Sequence, residues 1–376
     1  MKSVNHVYEI AKSLTVRRTA VHNVLRNARK TREFKQYVGR EDETVEMAED
    51  WIENYENDSH HAVEIYDGIG HKKRTIIVPT TKELIVQHCI VEALKPMFFR
   101  GMYRHSYASV PWRFIRSGND KPVFFKDVRG AHSGKKTIEK WMKDRKNTKY
   151  VLKMDIRHYF ESIPHDILKR KLAERIHDEK MINLMYKIID VVPQGLPLGF
   201  YLSQWLSNWY LEGLDHYIKE EELHAVYYIR YMDDMVIFGS NKRKLHEMRK
   251  RIQRYLVEEL GLTLKDNWQV FRFQYYKDGK PYGRDLDFMG FRFYRYKTVL
   301  RRSIMLKCTR KAKRISKKEH PTVYDARQMM SYKGYLKATQ THNMYLKRIR
   351  PYVNFDRLAE IISIYDKRRL KYELCG

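Results

Sequence analysis

Along the 376 residues the spacing of apolar positions changes several times, and each change predicts an element. In "HVYEIAKSL" and "VEMAEDWIENY" the apolar side chains recur on one helical face, so residues 1–65 are expected to be mainly helical. "KKRTIIVPT" (72–80) is a β-type run ended by Pro79 and predicts a strand. "KELIVQHCIVEALKPMF" (82–98) returns to the helical period, residues 101–130 mix Gly, Pro and charge and predict irregular chain, and "RGAHSGKKTIEKWM" (129–142) predicts a helix. "YVLKMDIRHYF" (150–160) alternates and then bends, as a strand does when its end presents a side chain. "LSQWLSNWYLEGLDHYIKEEEL" (202–223) repeats Leu206, Tyr210, Leu214 and Ile218 at four-residue steps and predicts one long amphipathic helix. "YIRYMDDMVIFG" (228–239) reads as strand, Asp-Asp, strand: a hairpin with the aspartates near its tip. "KRKLHEMRKRIQRYLVEELGLTL" (242–264) is a helix stopped near Gly261, and "DFMGFRFYRYK" (287–297) reads as a strand. Alternating β and α elements with hairpins, followed by a helical tail, predict an α+β fold.

Charge changes this picture most. The formal net charge is +28 and the pI about 9.8, an excess that points to a polyanionic partner, most often nucleic acid. Aromatic residues make up 13% of the chain, with 28 tyrosines; interleaved with basic residues they suit a surface that tracks phosphates and stacks on bases. Between Arg301 and Lys318 there are nine Lys or Arg and no acid. Only three cysteines occur, far apart, which argues against a disulfide framework or a cysteine-based zinc site. The amino terminus lacks a signal-peptide apolar core, and no run of about 18 apolar residues occurs, so a cytoplasmic protein with no membrane partner is expected.

The candidate chemistry lies in the carboxylates. Asp155 ends one predicted strand, and Asp233 and Asp234 sit on the hairpin; folded together they would bring three carboxylates to one point. A buried carboxylate pair is costly without a counter-charge. Oxygen-only clusters suit Mg²⁺, and two such ions about 3.5–4 Å apart can clamp an in-line phosphoryl displacement. A Tyr-x-Asp-Asp string alone is weak, since a solvated Asp-Asp turn has the same letters; its place between two apolar runs favours the metal site.

With these motifs in their order, residues 70–300 resemble the bacterial reverse transcriptases. "KKRTIIVPTTKELIVQH" resembles the fingers segment that meets the incoming triphosphate, with Lys72 and Arg74 at the matching positions. "MDIRHYFESIPH" resembles the first palm motif, giving Asp155 as metal ligand and placing at Phe160 the aromatic ring that blocks a ribose 2′-hydroxyl. "YMDD" matches the palm metal motif, so that Tyr231 and Met232 flank the primer terminus; "LGLTLK" offers Lys265 as proton donor to pyrophosphate; "DFMGFRF" resembles the primer grip, with Gly290 permitting close approach. The resemblance implies a right-hand polymerase with an N-terminal helical extension (1–65), fingers (66–148), a palm of antiparallel sheet plus helices (149–297) and a basic helical thumb (298–376). Arg301, Arg302, Lys307 and Arg310 would then contact phosphates of the template–primer duplex. It also implies two Mg²⁺ ions, with Mn²⁺ able to substitute, dNTPs, a template RNA and a DNA or RNA primer.

The second palm motif departs from most bacterial relatives. It reads "GLPLGFYLSQWLSN" (195–208), with Leu198 where glutamine is usual, then Gly199, and Gln204 where proline is usual. This form resembles the enzymes of diversity-generating retroelements, which copy a template RNA with errors at adenines. That resemblance implies low fidelity through Leu198 and, as further partners, a structured non-coding RNA and a small basic accessory protein. An antiphage reverse transcriptase making cDNA or untemplated DNA is the alternative. A non-catalytic RNA-binding protein of polymerase shape is a third reading, and the three aspartates argue against it.

Overall fold

Helical spacing near the amino terminus is realised as helices Val7–Lys12, Leu14–Asn27, Arg32–Lys35 and Glu41–Glu53, which bury Ala11, Val21, Val45, Ala48 and Ile52. The computed structural model describes residues 3–27, 32–67, 72–108, 113–116, 122–125 and 130–374. The chain forms two compact units. The first comprises Met1–Tyr66, Lys72–Gly130 and Leu152–Val270; the second comprises Asp67–His71, Ala131–Val151 and Phe271–Gly376.

In the first unit strands β1 (His61–Asp67) and β2 (Lys72–Val78) pair as a two-stranded sheet. Helix Thr81–Gly101 follows, opened by a capping box in which Thr80 accepts from the Glu83 amide and Glu83 reaches back to the Thr80 amide. It buries Ile85, Val86, Ile90, Val91 and Leu94 on several sides, which makes it a core helix rather than a surface one. The stretch expected to be irregular contains a short antiparallel hairpin, β3 (Arg113–Arg116) with β4 (Pro122–Phe125). The Phe-rich runs "RFIR" and "PVFF" carry β propensity that the surrounding Gly and Pro obscured.

The sheet that positions the site has four strands in the order β6-β7-β5-β8, from β5 (Tyr150–Asp155), β6 (Tyr227–Tyr231), β7 (Asp234–Gly239) and β8 (Gln269–Arg272). Tyr228, Ile229, Met235, Val236 and Ile237 have essentially no exposure, so β6 and β7 are covered on both faces, and their runs are continuously apolar rather than alternating. Behind them, the long helix expected over 202–223 is broken. Tyr201–Tyr210 is α-helical, Glu212–His216 is a short second helix, and Tyr217–Glu221 widens into a π-turn whose last bond runs from Glu222 N to Tyr217 O. Leu206, Tyr210, Leu214 and Ile218 are all buried, so the predicted face is right while the ladder is interrupted. Such π-turns recur near functional sites. Helix Lys242–Leu260 starts at Asn241, whose side chain caps Arg243 and Lys244, and ends at Gly261 with φ 61°.

In the second unit β9 (Tyr275–Lys277) pairs with β10 (Lys280–Tyr282), and β11 (Leu286–Phe288), β12 (Phe291–Tyr294) and β13 (Lys297–Leu300) form an antiparallel meander. Residues 287–297 are therefore not one strand. Met289 and Gly290 both take positive φ, 51° and 84°, and turn the chain so that Phe288 faces Phe291. Arg295 ties this unit together through its guanidinium, which donates to Met142 O, to the Thr148 hydroxyl and carbonyl, and to Gln274 O. Helices Arg302–Ser316, Val323–Lys337, His342–Arg348 and Phe355–Leu374 make the basic carboxy-terminal part. Among the described residues no helix is long and apolar enough to cross a membrane.

A candidate active site at the Asp155–Asp233 pair

Two strand ends of the first unit make the site. β5 ends at Asp155, and the β6–β7 hairpin turns through Met232 and Asp233, with Tyr231 opposite Asp234 in register. Asp233 thus lies on the turn and Asp234 opens β7. The Asp155 and Asp233 carboxyls lie close enough to act on each other. Burial pushes the Asp233 carboxyl above the ordinary aspartate range; the Asp155 charge acts in the same direction, and Asp234 adds to it. Asp155 Oδ2 receives the Lys265 ammonium at 2.5 Å, and its Oδ1 is buried without a partner. The backbone joins the same two segments, since Lys265 N donates to Asp155 O and Arg157 N to Thr263 O. Beside the pair, Arg157, His158, Lys265, Asp266 and Asn267 line an open cleft of about 360 Å³.

The turn is held in an unusual conformation. Met232 has φ 55° at the first of two central turn positions, where glycine is the usual residue. Its carbonyl accepts from Arg230 Nη1 at 3.1 Å. Arg230 is 1% exposed, and Asp215, from the short helix after the break, is fully buried. The guanidinium donates to both Asp215 oxygens, at 2.8 and 2.6 Å, and to the Asn208 carbonyl at 3.1 Å. Tyr228 OH donates to Asp215 Oδ1 at 2.7 Å. The strained turn is therefore anchored from inside the protein by a paired buried cation. Sequence reasoning passed over Arg230, Asp215 and Asn208. Their signal was one Arg within an apolar strand run and one Asp on the apolar stripe of a helix, opposite charges that only burial together could satisfy.

The other candidates divide by unit. Phe160 is half-buried on the helical turn Tyr159–Ser162, and its carbonyl accepts from Leu196 N at 2.7 Å. Leu198 is half-buried, and its carbonyl accepts from Ile77 N of β2 at 2.8 Å. Gly199 has φ 112°, and a Cβ there would lie 2.2 Å from Ile77 O, so β2 sits directly on this backbone and only glycine fits. Gln204 is exposed at the start of helix Tyr201–Tyr210. Arg74 is exposed on β2, whereas the Lys72 side chain lies outside the described residues. Tyr231 and Met232 are half-buried at the hairpin. Gly290, Arg301, Arg302, Lys307 and Arg310 belong to the second unit. There Arg301 Nε bonds Asp287 at 2.6 Å, and Arg302 and Arg310 are exposed. Asp234 adds its charge to Asp233, and no group of three metal-ligating side chains is found among the described residues.

The sequence pattern of the family described as reverse transcriptase (RNA-dependent DNA polymerase) matches residues 70–293, which include both strand ends and the hairpin. The chain belongs to the reverse transcriptase family. Protein YkfC of Escherichia coli is 24% identical over 251 residues, 55% of this chain and 61% of that protein. The putative COX1/OXI3 intron 2 protein of Saccharomyces cerevisiae is 30% identical over 83 residues, 19% of this chain and 10% of that protein. The chain thus spans less than two thirds of the length of these relatives. A solved structure of telomerase from Candida albicans with a telomeric RNA fragment aligns at 10% identity and a TM-score of 0.40, over 80% of this chain and 58% of that one. Reverse transcriptases generally use divalent metal ions. The site fits such an ion: one Asp155 oxygen is buried and unpartnered, and Asp155 and Asp233 place two acids close together where a cation would relieve the repulsion.

Proposed function

We propose that this reverse transcriptase is an RNA-directed DNA polymerase whose reaction is centred on Asp155 and Asp233. The observation that carries the reading is the closeness of these two carboxyls, one from the end of β5 and one from the β6–β7 turn, within a chain of this family. Asp155 and Asp233, with Asp234 adjacent, would hold two Mg²⁺ ions, or Mn²⁺ in their place. Bound there, the ions supply activation of the primer hydroxyl and neutralisation of the leaving pyrophosphate. The chain's own residues do the remainder. Lys265 stands against Asp155 with an ammonium that can give a proton to pyrophosphate. Phe160 presents a ring that excludes a ribose 2′-hydroxyl. Arg74 supplies charge for the triphosphate, and Lys72 is assigned the same role. In this reading residues 66–148 serve as fingers, 149–297 as palm and 298–376 as a thumb. Arg301, Arg302, Lys307 and Arg310 of the thumb and Gly290 of the primer grip contact the template–primer duplex.

The finer reading is error-prone copying of a template RNA in a diversity-generating retroelement. It is supported by Leu198, an apolar side chain where a polar amide is usual, on a backbone held to β2 by the Ile77 N–H bond to its carbonyl and by the close approach of Gly199. A structured non-coding RNA and a small basic accessory protein are the partners this reading brings. Primer extension on an RNA template with Mg²⁺ tests the main proposal: wild type should make complementary DNA and Asp233→Asn should not. Equal incorporation by both proteins would remove the mechanism. Sequencing the products tests the finer one. Leu198→Gln should lower errors at template adenines, and an unchanged error spectrum would show that Leu198 is not their cause; an antiphage reverse transcriptase making cDNA or untemplated DNA is the alternative reading.

A further inference from the structure

The β9–β10 hairpin of the second unit does not bury its aromatic residues. Tyr276 is 45% exposed, Tyr282 46% and the neighbouring Tyr296 58%. The hairpin turns through Asp278 and Gly279, both at positive φ, with Lys277 opposite Lys280. An Asp-Gly turn of this kind sets the register tightly, so the aromatic positions are fixed before anything binds.

The rings fall into two rows, one on each face, as the alternation of a strand requires. On one face Tyr275 lies opposite Tyr282 with rings stacked 5.7 Å apart, and the Arg272 guanidinium lies 4.8 Å from Tyr275 and 4.9 Å from Tyr150. On the other face Tyr276 lies 5.3 Å from Tyr296, and the exposed Arg145 covers Tyr296 at 5.7 Å while donating to its hydroxyl at 2.9 Å. Within 271–284 four cations, Arg272, Lys277, Lys280 and Arg284, stand against the single acid Asp278. Exposed rings beside guanidinium and ammonium groups, with excess positive charge, have the composition of a surface that stacks bases and tracks a phosphate backbone. A two-stranded sheet with this much exposed aromatic area has no core of its own to explain its rings.

We propose that the Tyr276–Tyr296 face of this hairpin is a docking surface for single-stranded RNA. Bases stack on the exposed ring surface of Tyr276 and on the part of Tyr296 that Arg145 leaves exposed, and Arg145, Lys277 and Lys280 meet the phosphates. RNA rather than DNA rests on the reading of the chain as an RNA-templated polymerase. The carboxylate pair belongs to the other unit.

Binding is measured without nucleotides, in the Asp233→Asn protein, so that polymerisation plays no part. A fluorescein-labelled unstructured 20-nucleotide RNA is titrated at several salt concentrations and read by anisotropy. Tyr276→Ala with Tyr296→Ala should weaken binding roughly tenfold or more, with the salt slope unchanged. Tyr→Phe at both positions should bind within about twofold of the parent, because the ring face is kept. Arg145→Gln should lower the salt slope by about one. Unchanged affinity in the double alanine protein would overturn the proposal. So would tighter binding of DNA of the same sequence, or an equal loss in the double phenylalanine protein. Failure here leaves primer extension by wild type untouched, and failure of primer extension leaves this binding measurable.

Discussion

Two hairpins in this protein each place an aromatic residue and then a methionine at the turn, "YMDD" at 231–234 and "FMGF" at 288–291, and they are held in place by different means. In the second, Met289 and Gly290 both adopt positive φ, and glycine removes most of the local cost. In the first, only Met232 has positive φ, no glycine is present, and the position after it is occupied by Asp233. That turn is stabilised over long range: Arg230 binds the Met232 carbonyl and is itself fixed by Asp215 and Asn208. With Met232 rather than glycine at its first position, this turn takes its constraint from the buried core behind it.

The largest effect that would break this contrast comes from the anchor. Arg230→Met leaves Asp215 buried and unpaired and should cost about 3–5 kcal/mol in urea unfolding. Combined with Asp215→Leu, the loss should be recovered in large part, since the unpaired charge is gone. Primer extension should nevertheless stay low in that double variant, because nothing then holds the Met232 carbonyl. Full activity there would show that the buried pair serves stability alone.

The glycine-supported turn should respond more modestly. Gly290→Ala forces a side chain to φ 84° and places a Cβ 2.8 Å from Ile304 Cδ1, the movable end of a side chain, so about 1–2 kcal/mol is expected. Met232→Gly should act in the other direction, stabilising by roughly 1 kcal/mol. If both substitutions were neutral, the positive φ values would carry no energetic meaning.

Smallest is a pH effect confined to the first hairpin. The Asp233 carboxyl is raised in the folded protein, chiefly by burial and then by Asp155. A raised acid contributes stability that is fully present below the pKa of an unfolded aspartate, about 3.9, and is lost as pH rises through the higher folded value. In chelator, wild type should therefore lose stability relative to Asp233→Asn on going from acid to neutral pH, by about 2–4 °C in melting temperature. Parallel melting curves across that range would contradict the placement of Asp233 against Asp155.

Much of the local structure was legible in the sequence. Asp155 at a strand end and the Asp-Asp hairpin followed from alternation and from apolar runs, both near-neighbour properties. Gly261 marked a helix end for the same reason. The pairing of Arg230 with Asp215 was not legible, because 15 residues and a broken helix separate them and periodicity records only which face is apolar. The break at Leu211 and the π-turn after it left that apolar face intact and so gave no signal. The hairpin within 287–297 was hidden because a two-residue turn at Met289–Gly290 hardly disturbs the apolar alternation on either side. Which of the two adjacent aspartates lies on the turn was likewise a matter of backbone geometry: Asp233 sits on the turn and Asp234 opens β7, which neighbouring letters do not distinguish.

The central claim is that Asp155 and Asp233 jointly form a cation site. Manganese occupancy, read by electron paramagnetic resonance with primer–template and a non-hydrolysable dNTP present, tests it directly. Wild type should bind the ion, and both Asp155→Asn and Asp233→Asn should lose at least tenfold in affinity. Undiminished manganese binding in either variant would contradict a shared site.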